Sequence, residues 1–599
     1  MHPSLDVANF SRLPPSLKSL AVAAASGSEK ETLVLLEKLL VVPPRHRPLL
    51  LPAFHSGLDP ARIKKVLTLF DSLGCAASVK SIIAQVEACL GAIGQLGMYN
   101  AIPHGAFVDV WENVWSWIQF LDEYQEVLFH DDVLSPAIRY RGFLSLIRFL
   151  RSHDAVEAQI DSNLSRWGLL GRAWCHFIDA ENEPDAAGLE DVTHFLGIWV
   201  RPNHWNSAAL EELVRGAGGT REDLASLVVS HIRYFVPRPD CVVTQQTVVH
   251  ILAIICIIGS EKITGHNNPD RSFQDALSGY GIVPALTTAS RALSRSTPEH
   301  VKTTLDALLA TLAHHISRYP LICLRKSLRA GLLEILFNRE HRQIISPFMV
   351  DLLEVIFPAT VYRSVLVPLQ ASLLKVRDRD AEVIFCDAAL LAQWGCLLEV
   401  VESRSRISKD IFGASKVCED LECANICPKH GLKRCSGCLT ANYCSKTCQR
   451  NDWRRGEHRQ ICGTFLSRRK QFRYLASRDQ SFLGALIRHE HAIQQKEIKQ
   501  KQRVFAQTNP CALSCLIFDF TSGICWIELI PLKSVQSSWA NDVERATRSD
   551  GQLQLHFIKV MDGPQSRMWP FHVHLKGLDV PTVIPDAGSE ELDDDGLES

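Results

Sequence analysis

Residues 418–462 read CEDLECANICPKHGLKRCSGCLTANYCSKTCQRNDWRRGEHRQIC, and the reading of this stretch decides what kind of fold the chain carries here. In order it holds four close pairs: Cys418-x4-Cys423, Cys435-x2-Cys438, Cys444-x3-Cys448 and His458-x3-Cys462. Zinc takes four thiolate or imidazole ligands in a tetrahedron, and two or three intervening residues let a tight turn bring both ligands to one ion. His458 and Cys462 stand about one helical turn apart, so a helix puts both on one face. Eight of the 19 cysteines fall within these 45 residues, a clustering that favours metal in a reducing compartment over disulfides or core packing. Tetrahedra filled by protein ligands leave no position for a reacting water, so the sites are structural rather than hydrolytic.

The run RCSGCLTANYCSKTCQRNDW, followed by His458 and Cys462, closely resembles the MYND zinc finger, and the resemblance covers the whole segment. It implies two zinc ions in a cross-brace. Cys418, Cys423, Cys444 and Cys448 would hold one, and Cys435, Cys438, His458 and Cys462 the other. The segment departs from the family in its first pair, which has four intervening residues where two are commonest. Cys427 and His430 also lie close enough to be alternative ligands. Family variants with a longer first knuckle favour Cys418 with Cys423, leaving Cys427 a free thiol. The resemblance further implies a shallow groove for short proline-rich peptides, at Ser436, Gln449 and Trp453. The plainer alternative is that Trp453 only packs on the second zinc knuckle.

Two saturated sites carry a formal charge of about −3 between them, counting four and three thiolates against two divalent ions. Lys429, Lys433, Arg434, Lys446, Arg450, Arg454, Arg455 and Arg459 surround them, opposed only by Asp452 and Glu457 between Lys429 and Arg459. Positive charge nearby stabilises thiolates. Contact with nucleic-acid phosphates is the alternative use of this basic run, but stacking on bases asks for more aromatics than Tyr443 and Trp453.

Upstream, residues 30–402 show apolar residues at helical spacing with recognisable start signals. Ser135-Pro136, Thr297-Pro298 and Ser346-Pro347 each predict a helix start, because proline at the first helical position loses no needed hydrogen bond. Pro358 is expected to stop the third of these helices. Trp111, Trp115 and Ile118 make one buried helix face rather than a ligand box. From about residue 284 helices recur roughly every 20 residues, the spacing of HEAT-like or armadillo-like stacks, although no fixed signature repeats. An irregular bundle or an α-solenoid fits equally.

Downstream, 481–507 reads as one long helix, apolar first at Phe482, Leu483, Leu486 and Ile487. Segments 515–520 and 524–530 flank Thr521-Ser522-Gly523 as a hairpin, and 553–561 and 568–575 read as two more strands. Residues 586–599 hold seven carboxylates and no basic residue, a composition expected to stay disordered. The expected organisation is therefore a partly disordered N-terminal segment 1–29, an all-helical region 30–402, a linker 403–417 and a zinc finger 418–462. A helix with a small α+β unit at 463–585 and the acidic tail 586–599 complete it. The fold class is mainly α.

The 599 residues, 46% hydrophobic and 22% charged, have the composition of ordinary folded protein. Lys plus Arg number 64 against 66 Asp plus Glu, so no global charge points to nucleic acid or an anionic membrane. The N-terminus lacks the pattern of a secretory or transit leader, and the apolar run 248–258 is shorter than the ~20 residues that span a bilayer. An intracellular protein, in nucleus or cytoplasm, is the expectation. One branch of the resembled family places the finger in a SET lysine methyltransferase, but no Gly-x-Gly cofactor signature precedes the finger and no Asn-His-Ser/Cys core follows it; Asn203-His204 lies on the wrong side. No catalytic residue and no organic cofactor site is therefore assigned. The chain resembles large fungal families that join a long helical N-terminal part to a C-terminal MYND finger. That resemblance implies a zinc-binding adaptor or scaffold that engages proteins, with transcriptional regulation as its setting.

Overall fold

The structure is a computed structural model and describes residues 1–574 except 71–75, 130–134, 179–182, 201–204, 260–269, 297–300, 378–380, 386, 411–414, 424, 429–430, 456–457, 472–476, 511, 536–538, 550–552 and 564. The Thr297-Pro298 helix start, Asn203-His204, Lys429, His430, Glu457 and the acidic tail lie outside the described residues. Helices follow one another from Pro15 to Asp410, and strands occur from Ser415 onward. The chain divides into two compact units, Met1–Thr311 and Leu312–Ser599.

In the first unit, residues 1–29 carry short helices at Pro3–Leu5, Val7–Arg12 and Pro15–Ala25 where partial disorder was expected. Burial of Leu5, Phe10, Leu13, Ala21 and Ala24 supplies the apolar contacts that hold them. Helix Pro136–Arg151 starts with Pro136 in its first turn, after an extended Ser135. Thr220 with Asp223, and Thr244 with Thr247, open later helices by reciprocal capping. Trp111, Trp115 and Ile118 are buried on helix Phe107–Glu123.

Helix Ala76–Met98 is apolar and long enough to cross a membrane. Gln85 near its middle is nevertheless buried and donates to the Ala24 carbonyl and to Thr32 Oγ1, while Val86, Ile93 and Leu96 are fully covered by protein. It is a core helix of this unit. Run 248–258 lies in the equally buried helix Gln245–Ile258, ended by Gly259 at φ +77°. Helices Ser165–Phe177 and Ser207–Gly216 approach so closely that a Cβ on Gly216 would collide with the Gly168 carbonyl oxygen.

The longer helices from Ile282 onward begin at Ile282, Val301, Pro320, Arg342, Arg363 and Ala388, close to the spacing read from the sequence. Two boundaries differ. Helix Arg342–Ala359 starts before Ser346 and takes in both Pro347 and Pro358. Burial of Ile345, Phe348, Met349, Leu352 and Ile356 offsets the hydrogen bond that each proline ring removes. Helix Ala388–Asp410 runs on past residue 402, into what the sequence suggested was a connector. Its polar residues Arg404, Ser405 and Ser408 are buried, and two of them find partners: Arg404 donates to Thr360 Oγ1 and to the Gly523 carbonyl at 2.5 Å, and Ser408 accepts from Arg363 at 3.1 Å.

The rest of the second unit is built on this helix. Segment 481–507 is two helices, Ser477–Ile493 and Gln495–Thr508, broken at Gln494 where ψ opens to 16°. The first buries Phe482, Leu483, Leu486 and Ile487 against the helices Arg363–Val376 and Ala388–Asp410. A four-stranded sheet follows, ordered Trp526–Pro531, Ser514–Asp519, Leu553–Asp562 and Gln565–His574. Both hairpins are antiparallel, and the central pair is parallel. The parallel pairing needs a crossover, and helix Ala540–Arg548, absent from the sequence reading, lies in that connection. Gly523, at φ +88° in the first hairpin, packs where a Cβ would lie 2.7 Å from Phe357 Cβ.

Candidate metal centre

The finger is assembled from small devices that each aim one ligand. Strands Lys433–Arg434 and Asn442–Tyr443 pair antiparallel, so the knuckle between them returns Cys435 and Cys438 beside Cys444. Within the knuckle Cys435 N–H donates to Ala441 and Leu439 N–H to Cys435, with Leu439 in the left-handed region at φ +56°. The first knuckle is tied to the same hairpin, since Glu419 N–H donates to the Asn442 carbonyl at 2.9 Å. Ser445 caps helix Lys446–Arg454 by accepting from Cys448 N–H at 3.1 Å, and its hydroxyl also points to Cys448 Sγ at 3.2 Å. Helix His458–Gln471 carries His458 and Cys462 one turn apart.

These devices gather two sets of four ligand atoms, Cys418, Cys423, Cys444 and Cys448 in one and Cys435, Cys438, His458 and Cys462 in the other. A zinc–sulfur bond of about 2.3 Å implies tetrahedral S···S edges of about 3.8 Å, and a zinc–nitrogen bond of about 2.0 Å an S···N edge of about 3.5 Å. The sulfurs lie 3.6 Å apart for Cys423 and Cys444, 3.5 Å for Cys444 and Cys448, and 3.9 Å for Cys435 and Cys462. Cys438 Sγ is 3.6 Å from His458 Nε2. Both sets fit a zinc ion, in the cross-braced pairing of first with third and second with fourth. Cys427 is in neither; it sits in strand Ile426–Pro428, opposite Lys416.

The electrostatics suit a cation. Burial pushes the Cys462 thiol up to about 12 and Cys444 up to about 11, so a thiolate at either position asks for positive charge beside it. Backbone N–H groups contribute some, Cys444 to Cys418 Sγ at 3.5 Å and Thr440 to Cys438 Sγ at 3.4 Å. Burial, and then the charge of Arg545, lower His458, which keeps its imidazole neutral and free to ligate through Nε2.

Behind His458 stands a polar pair that sequence reading did not assign. Its Nδ1 is 3.9 Å from Asp452 Oδ2, and Tyr443 donates its hydroxyl to that oxygen at 2.6 Å. At that distance Asp452 makes no hydrogen bond to His458, and the carboxyl stands as the nearest polar group on the side of the ring away from the ligand set. Burial pushes Asp452 up to about 6. Arg545, buried on helix Ala540–Arg548, reaches in from the sheet domain and donates to the Glu419 carbonyl and to Glu419 Oε2, each at 3.0 Å. Nothing in the ligand spacing could have announced Arg545, which is remote in sequence.

Of the three groove residues read from the sequence, Ser436 is exposed, Gln449 half-buried and Trp453 39% exposed, with its ring 5.7 Å from that of His458. Gln449 and Trp453 share a face of helix Lys446–Arg454.

Residues 423–462 match the family described as MYND finger. The match begins after Cys418, the ligand that the geometry adds from outside it. No solved structure matches the chain. The segment is thus a zinc-binding protein-interaction module, and the finger itself is not a catalytic one.

Proposed function

We propose that the chain is a zinc-stabilised adaptor or scaffold, whose MYND finger takes proline-rich segments of partner proteins at Ser436, Gln449 and Trp453 while the helices offer further protein-binding surface. The observation that carries this reading is the exposure of Trp453. A tryptophan serving only to cover a zinc knuckle would be enclosed, as Trp117 and Trp174 are in the helical core, whereas Trp453 leaves 39% of its surface open beside a fully buried ligand. A flat indole with the Gln449 amide on the same helix face suits an extended polyproline segment, which is already ordered and loses little entropy on docking. A reducing compartment favours zinc-bound thiolates over disulfides, which supports an adaptor of the nucleus or cytoplasm, and transcriptional regulation is the setting we propose for it. Neither catalysis, nucleic acid nor a membrane is needed for this role.

The test is Trp453→Ala in the full chain, with zinc content checked first. Titration with a fluorescent peptide of PxxP spacing should show binding by the parent chain and at least tenfold weaker binding by the variant. Equal binding by both removes the groove.

A further inference from the structure

Lys446, Arg450 and Arg454 are exposed and fall at successive fourth positions of helix Lys446–Arg454, so they form one basic stripe along it. Among the described residues none of the three is in an ion pair; on the same surface Arg455 meets Glu422 at 3.8 Å. The stripe runs beside the Gln449 and Trp453 face, since Arg450 and Arg454 each follow a groove residue by one position, about 100° round the helix. Charge compensation for the zinc thiolates explains a positive surroundings in general. It does not explain a row of three cationic groups turned to solvent.

The same chain holds the complement. Residues 578–585 read LDVPTVIP, an apolar stretch with Pro581 and Pro585, and residues 586–599 read DAGSEELDDDGLES, with seven carboxylates and no base. We infer that segment 578–599 is an intramolecular occupant of the finger, its acidic run on the Lys446–Arg450–Arg454 stripe and its proline stretch at Trp453, so that the chain masks its own partner site. The placement at Trp453 rests on the peptide-binding reading given above; the contact with the stripe does not.

Connectivity allows it. His574 pairs with Leu553, Leu553 N–H donates to Ser549 Oγ at 3.0 Å, and Ser549 ends the helix whose Arg545 touches Glu419 of the finger. The 11 residues from 575 to 585 can span up to about 36 Å, more than twice the length of about 14 Å of helix Lys446–Arg454. Tethering also raises the local concentration. With an effective concentration on the order of 1 mM and an intrinsic Kd on the order of 100 μM, the tail would weaken a competitor about tenfold. Attraction between exposed charges is screened by salt, so masking should fade as ionic strength rises.

The experiment titrates the fluorescent synthetic peptide 578–599 with the full chain and with a chain stopped after Gly577, which keeps every described residue. The expected result is binding by the shortened chain, about tenfold weaker binding by the full chain, loss on Arg450→Glu with Arg454→Glu, and steep weakening between 50 and 300 mM salt. Equal binding by the two chains overturns the inference, as does no binding by the shortened one. If a PxxP peptide binds while the tail peptide does not, the groove reading stands and the self-masking falls. If Trp453→Ala in the shortened chain leaves tail binding intact, the tail does not cover Trp453 and the self-masking is overturned, while the PxxP titration still decides the groove. A single-stranded oligonucleotide that binds both chains equally, with no binding of the tail peptide, would assign the stripe to phosphate contact instead and overturn the inference.

Discussion

Arg545 donates to both the backbone carbonyl and the carboxylate of Glu419, at 3.0 Å each, so the sheet domain grips the finger at the residue next to its first zinc ligand. The guanidinium is nearly fully buried, and the charges of Glu419, Asp452 and Tyr443 raise it against the burial that would lower it. Breaking a buried pair from one side leaves the other charge uncompensated, at a cost of about 3–5 kcal/mol. Arg545→Ala should therefore lower the stability of the second unit by about 3 kcal/mol in denaturant unfolding while zinc stays at two per chain. Arg545→Lys should recover only part, since both hydrogen bonds leave Nη2 and the lysine ammonium, on a shorter stem, stops short of that position. An unchanged midpoint for the alanine variant would show the grip to be incidental.

Zinc removal should act locally first. The finger's buried cluster is largely its own cysteines with Ala441 and Tyr443, too little apolar surface to hold a fold without metal. Each structural zinc can supply on the order of 10 kcal/mol of folding free energy. A strong chelator should abolish amide protection across 418–462 in hydrogen exchange while the helical circular dichroism of Met1–Thr311 persists. Retained protection in the finger after complete zinc loss is the outcome that would sink this account.

The ligand sets were legible in the sequence because chelation is a local constraint: Cys435-x2-Cys438 or His458-x3-Cys462 can reach one ion whatever the rest of the chain does. Ser135-Pro136 was legible for the same reason, since its effect on the helix start needs no distant partner. What escaped depends on residues far apart. Polar Arg404, Ser405 and Ser408 read as a connector because the groups that satisfy Arg404, at Thr360 and Gly523, come from elsewhere in the chain. Helix Ala540–Arg548 has no side-chain cap at Trp539, so no start signal announced it, and Arg545 went unassigned with it. Pro347 suggested a start and stands inside a helix, because burial of Ile345 just before it holds the preceding turn.

Acid should weaken the first unit. His231 and His250 are fully buried between helices, with His250 Nδ1 bonded to Thr193 Oγ1 and 3.3 Å from His231 Nε2, and its ring stacked on Phe235. Burial lowers His250 to about 4, and burial together with the charge of His250 drives His231 well down. An unfolded imidazole titrates near about 6.5, so between roughly pH 6.5 and 4 the unfolded chain binds the extra proton. The stabilisation is therefore full above about pH 6.5 and is lost as pH falls toward 4. His250 alone should remove about 2 kcal/mol at pH 5. Urea unfolding of the full chain, followed by hydrogen exchange in Arg221–Phe235 and Gln245–Ile258, should show this slope in the parent and a shallower one in His250→Gln. A slope unaltered by that substitution would place the acid sensitivity elsewhere.

The choice between Cys418 and Cys427 gives the sharpest test of the site. Spacing alone admits either as the partner of Cys423, because both are near enough for a knuckle. The fold separates them. Cys418 is fully buried, its sulfur accepts the Cys444 N–H at 3.5 Å, and its backbone N–H is fixed on the Asn425 carbonyl at 2.8 Å. Cys427 is half-buried in a strand opposite Lys416 and outside both ligand sets. Cys427→Ser should keep two zinc ions per chain and change stability by no more than about 0.5 kcal/mol, as for a substitution that removes no specific contact. Cys418→Ser should lower bound zinc toward one per chain by elemental analysis, with protection lost around Cys444–Cys448 and kept around Cys435–Cys438. The second set keeps all four of its ligands in that variant, so the loss should stop at the first. The reverse pattern, zinc lost with Cys427→Ser and kept with Cys418→Ser, would move the first knuckle to Cys423-x3-Cys427 and leave Cys418 an ordinary buried thiol.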